Sequence, residues 1–215
     1  MKLTKLLFAL FLLASAPSAF AGVLTVEDGP LKVGDLTVSK GGKLTVDGRK
    51  SNLVTVGAGL RKKFGLMSIY VGELLVNDSN KYVCKADKAF DSLKDLSAVV
   101  VRLRFVYTVG ASDLVKAFRD GFDANDVNYS KGKVKEFMDA VAANGGVENG
   151  QEAVVAGEKL ADGSEAVTYQ AANGTVKTIT GPAGFVREVF SLWLGATVDG
   201  GAEAVKQNFV NCKVE

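Results

Sequence analysis

Residues 57–76 read GAGLRKKFGLMSIYVGELLV. Apolar, β-rich runs at 53–60 and 64–76 flank the triplet Arg61-Lys62-Lys63, which is the pattern of strands interrupted by a polar connection. Gly57-Ala58-Gly59 invites a nucleotide-loop reading. It fails on two counts: the third glycine position is Lys62, and a strand-like run follows where a dinucleotide fingerprint needs a helix. Glycines so close together instead let a strand bend or another backbone approach. Three adjacent cations usually form a solvated turn. The functional alternative turns Arg61 into a cleft, where its planar fork would grip an anionic head group in two parallel hydrogen bonds. Tyr70 reads either as a core tyrosine or as a partner of Arg61. The two have opposite strand parity, so they share a face only if residues 62–65 form a turn or bulge that resets the pleat.

Farther along the chain, residues 98–107 alternate. Val99, Val101, Leu103, Phe105 and Tyr107 fall on one face, with Arg102 and Arg104 on the other, as expected of a strand with one buried side. Upstream, Leu24-Thr25-Val26, Leu36-Thr37-Val38 and Leu44-Thr45-Val46 are each followed by Asp or Gly pairs (Asp28-Gly29, Gly41-Gly42, Asp47-Gly48), predicting three short strands closed by tight turns. Downstream the period changes to 3.6. Leu114, Val115, Phe118 and Phe122 predict a helix capped by Ser112, and Val134, Phe137, Met138 and Val141 a second helix ended by Asn144-Gly145-Gly146. Strand patterns return at 153–156, 166–169 and 175–180. Gly181-Pro182 opens a third helix with the stripe Phe185, Val186, Val189, Phe190, Trp193 and Leu194, and a short helix with Val205 and Phe209 finishes the chain. Strands segregated from helices indicate an α+β fold with a mostly antiparallel sheet.

Composition narrows the chemistry. The 215 residues contain no histidine and two cysteines. Ser-His-Asp and Cys-His catalysis, histidine metal sites and a cysteine-built zinc site are therefore excluded. We expect no metal and no cofactor. Lys2 and Lys5, an apolar run at 6–14 and Ala19-Phe20-Ala21 form a secretory signal peptide over residues 1–21, leaving 22–215 as one domain, periplasmic or secreted. The apolar run is too short to span a bilayer. Losing Lys2 and Lys5 balances the 26 basic against the 24 acidic side chains, so nothing suggests a nucleic-acid footprint. The carboxylate pairs Glu148 with Glu152 and Asp120 with Asp123 read as solvated. Export favours a disulfide between Cys84 and Cys212, worth about 4–5 kcal/mol in the chain-entropy model. Two unpaired thiols, one buried and one in the C-terminal segment, are the alternative.

The segments Gly57-Ala58-Gly59-Leu60-Arg61, Ser68-Ile69-Tyr70-Val71-Gly72-Glu73-Leu74-Leu75-Val76, Phe118-Arg119-Asp120-Gly121-Phe122, Asn173-Gly174-Thr175 and Ser191-Leu192-Trp193-Leu194-Gly195 resemble, in order and spacing, the motifs of the chalcone isomerase-like family over residues 50–212. The resemblance implies an open-faced β-sandwich, a large antiparallel sheet covered by helices with a cleft between them. It also implies one of two activities: closing a phenolic enone as an intramolecular lyase, or binding a fatty acid without chemistry. Arg61 matches the family arginine. Tyr70 stands where the enzymes keep a catalytic threonine, as in the fatty-acid-binding branch. Tyr107 falls near the enzymes' tyrosine, Asp113 or Leu114 at their helix asparagine, and Leu192, beside Ser191, at a hydroxyl position. The enzyme set is thus incomplete. The resemblance favours a binding protein for a small apolar or amphipathic ligand with an acidic head, held by Arg61 and Tyr70 and lined by Phe118, Phe122, Phe190 and Trp193. Arg61, Tyr70 and Tyr107 would be the catalytic set of a lyase. A structural or partner-binding envelope protein is the third reading.

Overall fold

The computed structural model describes residues 22–215; the signal peptide assigned to 1–21 lies outside them. Eight strands pair in sequence order, every neighbour antiparallel: β1 (Leu24–Val33), β2 (Leu36–Val46), β3 (Arg49–Lys63), β4 (Met67–Val76), β5 (Ala98–Phe105), β6 (Glu152–Lys159), β7 (Glu165–Gln170) and β8 (Val176–Gly181). Five helices accompany them: α1 (Ala89–Ser92), α2 (Ala111–Asp123), α3 (Gly132–Ala143), α4 (Phe185–Leu194) and α5 (Gly200–Val210). The fold is α+β, with helices on one face of a single meandering sheet.

That covered face holds the main core. Leu74, Val76, Val99, Val101 and Val155 from the strands pack against Phe122, Phe137, Phe190 and Phe209 from the helices. The opposite face carries smaller apolar clusters. In one, Leu44, Val46 and Leu53 meet Leu75, Val100 and Val154. Buried Glu73 sits on this side, accepting a bond from Ser39 Oγ at 2.5 Å and facing Arg104 at 3.2 Å and Arg102 at 3.6 Å. A carboxylate fully removed from water requires such partners. Arg102 and Arg104 therefore do lie opposite Leu103 and Phe105, and Glu152, read as solvated, is the second partner of Arg102 at 2.6 Å.

Several local expectations change. Gly41-Gly42 does not turn the chain. Both residues sit inside β2, paired with Val54 and Leu53 on one side and with Glu27 and Val26 on the other, so the second and third Leu-Thr-Val units belong to one strand. Asp28-Gly29 falls within β1, at a register irregularity. Only Asp47-Gly48, both with positive φ, makes the tight turn foreseen. Gly181-Pro182 ends β8, and α4 begins at Phe185 after the left-handed Gly184. Gly110, not Ser112, is the N-cap of α2. Tyr107 leaves the buried face because β5 stops at Phe105.

Gly57 and Gly59 admit α5. A β-carbon at Gly57 would stand 2.7 Å from the Asn208 carbonyl oxygen, and one at Gly59 would stand 2.7 Å from Asn208 Nδ2. Bare backbone at these positions is what lets the helix lie on β3. The ladder with β2 covers β3 from Arg49 to Val54. Beyond it, the C-terminal segment covers the edge, with Ala58 N donating to Lys213 O at 2.8 Å, which shields an otherwise open strand. Two further ties hold the end of α5. Cys84 and Cys212 are joined with Cα atoms 5.4 Å apart, and the Tyr82 hydroxyl donates to Phe209 O at 3.1 Å.

Candidate functional site

Arg61 and Tyr70 are direct cross-strand partners on β3 and β4, and directly opposed residues of an antiparallel pair project from the same face. The parity conflict is resolved by a bulge. Arg61 pairs with Tyr70 but Lys62 pairs with Ser68, leaving Ile69 as the extra residue on β4. The guanidinium carbon lies 6.0 Å from the Tyr70 ring centroid, within cation–π range. Its Nη2 donates to Asp199 Oδ2 at 2.6 Å, and the Arg61 side chain retains only 14% of its exposure.

Asp199 was not singled out by the sequence reading. It is the N-cap of α5, its Oδ1 accepting from Ala202 N at 2.8 Å. Asp-Gly-Gly before a helical pattern signals a cap, but nothing local reveals an arginine 138 positions away as the partner. The packing of α5 brings them together: Gly201 lies directly against the Lys62 carbonyl, so the first turn of α5 rests on the end of β3 next to Arg61.

Above this pair opens a cleft of about 390 Å³ between the sheet and α2. Met67, Ile69, Leu103 and Phe105 form its sheet wall, and Leu114 and Ala117 the helix wall. Tyr107, Val198 and Lys63 stand at the margins, with Asp113, Asp120 and Lys116 on α2. Asp120, read as solvated, pairs with Lys116 at 2.5 Å on this margin. Arg61 and Tyr70 also line a smaller inner pocket of about 70 Å³ closed by Phe118, Gly121, Leu192 and Trp193. The two residues therefore stand at the junction of an outer cleft and an inner recess. Phe118 and Trp193 meet edge to face with centroids 6.0 Å apart, and the Tyr70 and Phe105 rings, tilted by 59°, stand 5.6 Å apart, so the walls near the guanidinium are aromatic. Burial pushes the Tyr70 phenol above its ordinary pKa, while the Arg61 charge and the Trp193 indole N–H draw it back down. The phenol is thus a neutral donor at physiological pH.

The structure gathers Arg61, Tyr70, Tyr107, Phe118 and Trp193 around these two spaces. Phe122 and Phe190 are not among them. Both are fully buried, Phe122 against Tyr129 and Phe137, and Phe190 against Trp193. Apolar stripes do not distinguish a helix residue facing a recess from one packed a turn away in the core. Among the described residues no group of three or more His, Cys, Asp or Glu is placed to hold a metal ion, and no helix is long and apolar enough to cross a membrane.

A helix-covered antiparallel sheet with an arginine and a tyrosine at the base of a cleft that has apolar walls and a charged rim has the architecture of a small-ligand pocket. This chain belongs to the chalcone isomerase-like family, whose model matches residues 34–204. Among solved structures, a fatty-acid-binding protein of Arabidopsis thaliana has a similar fold, with a TM-score of 0.50 and 13% identity over 79% of this chain and 96% of that one. No curated protein matches the chain by sequence.

Proposed function

We propose that this chain is an exported binding protein that takes a small apolar ligand with an acidic head group, of the fatty-acid kind, tail in the outer cleft and head group at Arg61 and Tyr70. The observation that carries this reading is the Arg61 guanidinium, largely withdrawn from water yet facing an apolar space. An arginine has five N–H donors, and the bond to Asp199 leaves others for a carboxylate. Tyr70 adds a neutral hydroxyl donor beside it. The cleft volume of about 390 Å³ lies inside the roughly 300–1,000 Å³ range of small-ligand sites. The fatty-acid-binding relative in fold supports the ligand class, and the leader at 1–21 supports a periplasmic or secreted location. Native mass spectrometry of the purified protein, followed by calorimetry with laurate and methyl laurate, tests the reading. Co-purifying acid and a preference for laurate over its ester are expected. No bound acid and no preference would reject it.

One observation favours a second reading. Tyr107 lines the same cleft as Arg61 and Tyr70, so the three groups assigned to a lyase do converge. Arg61 would stabilise the phenolate and the charge developing on the enone. Loss of chalcone absorbance above background, abolished by Arg61→Ala, would support it, and turnover at the background rate would eliminate it.

A further inference from the structure

The β3–β4 hairpin ends in a turn whose two central residues, Phe64 and Gly65, both have positive φ, at 55° and 72°. Such turns favour Asn or Asp followed by Gly, and an aromatic residue is poorly suited to that conformation. Phe64 is 84% exposed and Leu66 is 90% exposed, the two most exposed large apolar side chains among the described residues. Packing therefore gives no reason for either. Lys62 and Lys63 precede them and form no ion pair among the described residues; Lys63 Nζ stands 5.4 Å from the Phe64 ring. The tip adjoins the ligand cleft, since Lys63 and Met67, on either side of it, line that cleft. Tyr107 and Val198, 47% and 45% exposed, stand on the same rim. Two of the nearby carboxylates, Asp199 and Asp120, are already paired with Arg61 and Lys116.

We propose that the hairpin tip Lys62–Leu66 docks the protein on an anionic lipid surface, with Phe64 and Leu66 inserted among the acyl chains, Lys62 and Lys63 at the headgroups and the cleft mouth turned to the bilayer. The three-residue connection Phe64–Leu66 between paired Lys63 and Met67 is short and narrow. It offers far less than the roughly 800 Å² per partner of a stable protein interface, whereas a fluid bilayer accommodates a protruding apolar wedge flanked by cations. The arrangement would let a poorly soluble acid pass between membrane and cleft without crossing water. That transfer step rests on the proposed ligand; the docking itself does not.

The test is co-sedimentation of residues 22–215, which hold the entire described fold, with vesicles of phosphatidylcholine alone or mixed with phosphatidylglycerol. Binding to the anionic vesicles, weakened by salt, is expected. Phe64→Ser and Leu66→Ser should each reduce it about tenfold, and Lys62→Ala about fivefold. Neither Phe64 nor Leu66 lines the cleft, so laurate binding in solution should stay at the wild-type level in the double variant. Absence of wild-type binding to anionic vesicles would overturn the proposal, as would equal binding by the double variant. So would a vesicle-independent dimer in sedimentation velocity that the double variant abolishes, which would give the tip to a second copy of the chain. Vesicle binding without laurate binding would remove the ligand reading and leave the docking surface standing.

Discussion

Arg61 and Asp199 lie 138 residues apart in the chain and 2.6 Å apart in space. The pair joins the end of β3 to the first turn of α5, and it places a carboxylate against the guanidinium that we assign to the ligand. Under the proposed function an incoming acid would have to share or displace Asp199, which would make that carboxylate a competitor built into the site. This relationship shapes the expected responses of the site to mutation.

Charge-assisted hydrogen bonds are worth about 1.5–3 kcal/mol each. Arg61→Ala should therefore weaken laurate binding by roughly one to two decades. Arg61→Lys should recover only part of this, because an ammonium cannot form the bidentate fork. Tyr70→Phe should cost less, since the ring and its packing on Phe105 remain. Calorimetry of laurate against methyl laurate in wild type and all three variants checks the set. Equal binding of acid and ester by wild type would return Arg61 to a structural ion pair.

Asp199→Asn separates the two jobs of that residue. Asparagine caps a helix about as well as aspartate, so the bond to Ala202 N should survive and the melting temperature should move little. Removing the negative charge beside Arg61 should strengthen laurate binding, by about tenfold if the competition is worth about 1.4 kcal/mol. Asp199→Ala should show the same gain in affinity with a loss of about 1 kcal/mol in stability. Weaker laurate binding in the asparagine variant would mean that Asp199 orients Arg61 rather than competing for it.

The Cys84–Cys212 bond spans 128 residues. In the chain-entropy model a loop of that size contributes about 4–5 kcal/mol. A Cys84→Ser/Cys212→Ser variant should accordingly show a lower urea midpoint with ligand affinity nearly retained at low temperature. The Tyr82 hydroxyl bond to Phe209 O and the contact of α5 with Gly57 and Gly59 still hold the helix in place. Identical urea midpoints for the variant and wild type would show that the crosslink adds nothing measurable.

Buried phenols set the alkaline limit. Burial pushes the Tyr169 hydroxyl up to about 12 and raises Tyr82 and Tyr70 above the ordinary value near 10.0. Above pH 10 the unfolded chain has released these protons while the native chain still holds them, so stability falls as pH rises. The contribution is fully present below pH 10 and is lost as pH passes through the raised native values. Urea midpoints measured across this window should decline steadily, and Tyr169→Phe should flatten the decline. A midpoint independent of pH up to about 12 would contradict the burial of these groups.

Much of the fold was legible because its signals are local. The alternation at 98–105, the helical stripes of α2, α3 and α4 and the turn at Asp47-Gly48 are periods and propensities that neighbouring residues express whatever lies opposite. The resemblance to the chalcone isomerase-like family in ordered motifs brought Arg61 and Tyr70 forward together. Other outcomes depended on partners distant in sequence. Gly41-Gly42 stayed within a strand because two neighbouring strands satisfy its backbone groups, a contest that turn propensity alone does not express. Phe122 and Phe190 went to the core while Phe118 and Trp193 reached the recess, because helix rotation, not residue type, sets which part of an apolar stripe meets a void. Asp199 met Arg61 only because α5 settles on the glycine-bared backbone of β3. Local pattern and ordered motifs were enough to mark Arg61 and Tyr70 as candidates for an acidic head group. Which side chains meet followed from packing, since an ion pair needs contact at hydrogen-bond distance, and the contact of Arg61 with Asp199 depends on how α5 lies against the sheet.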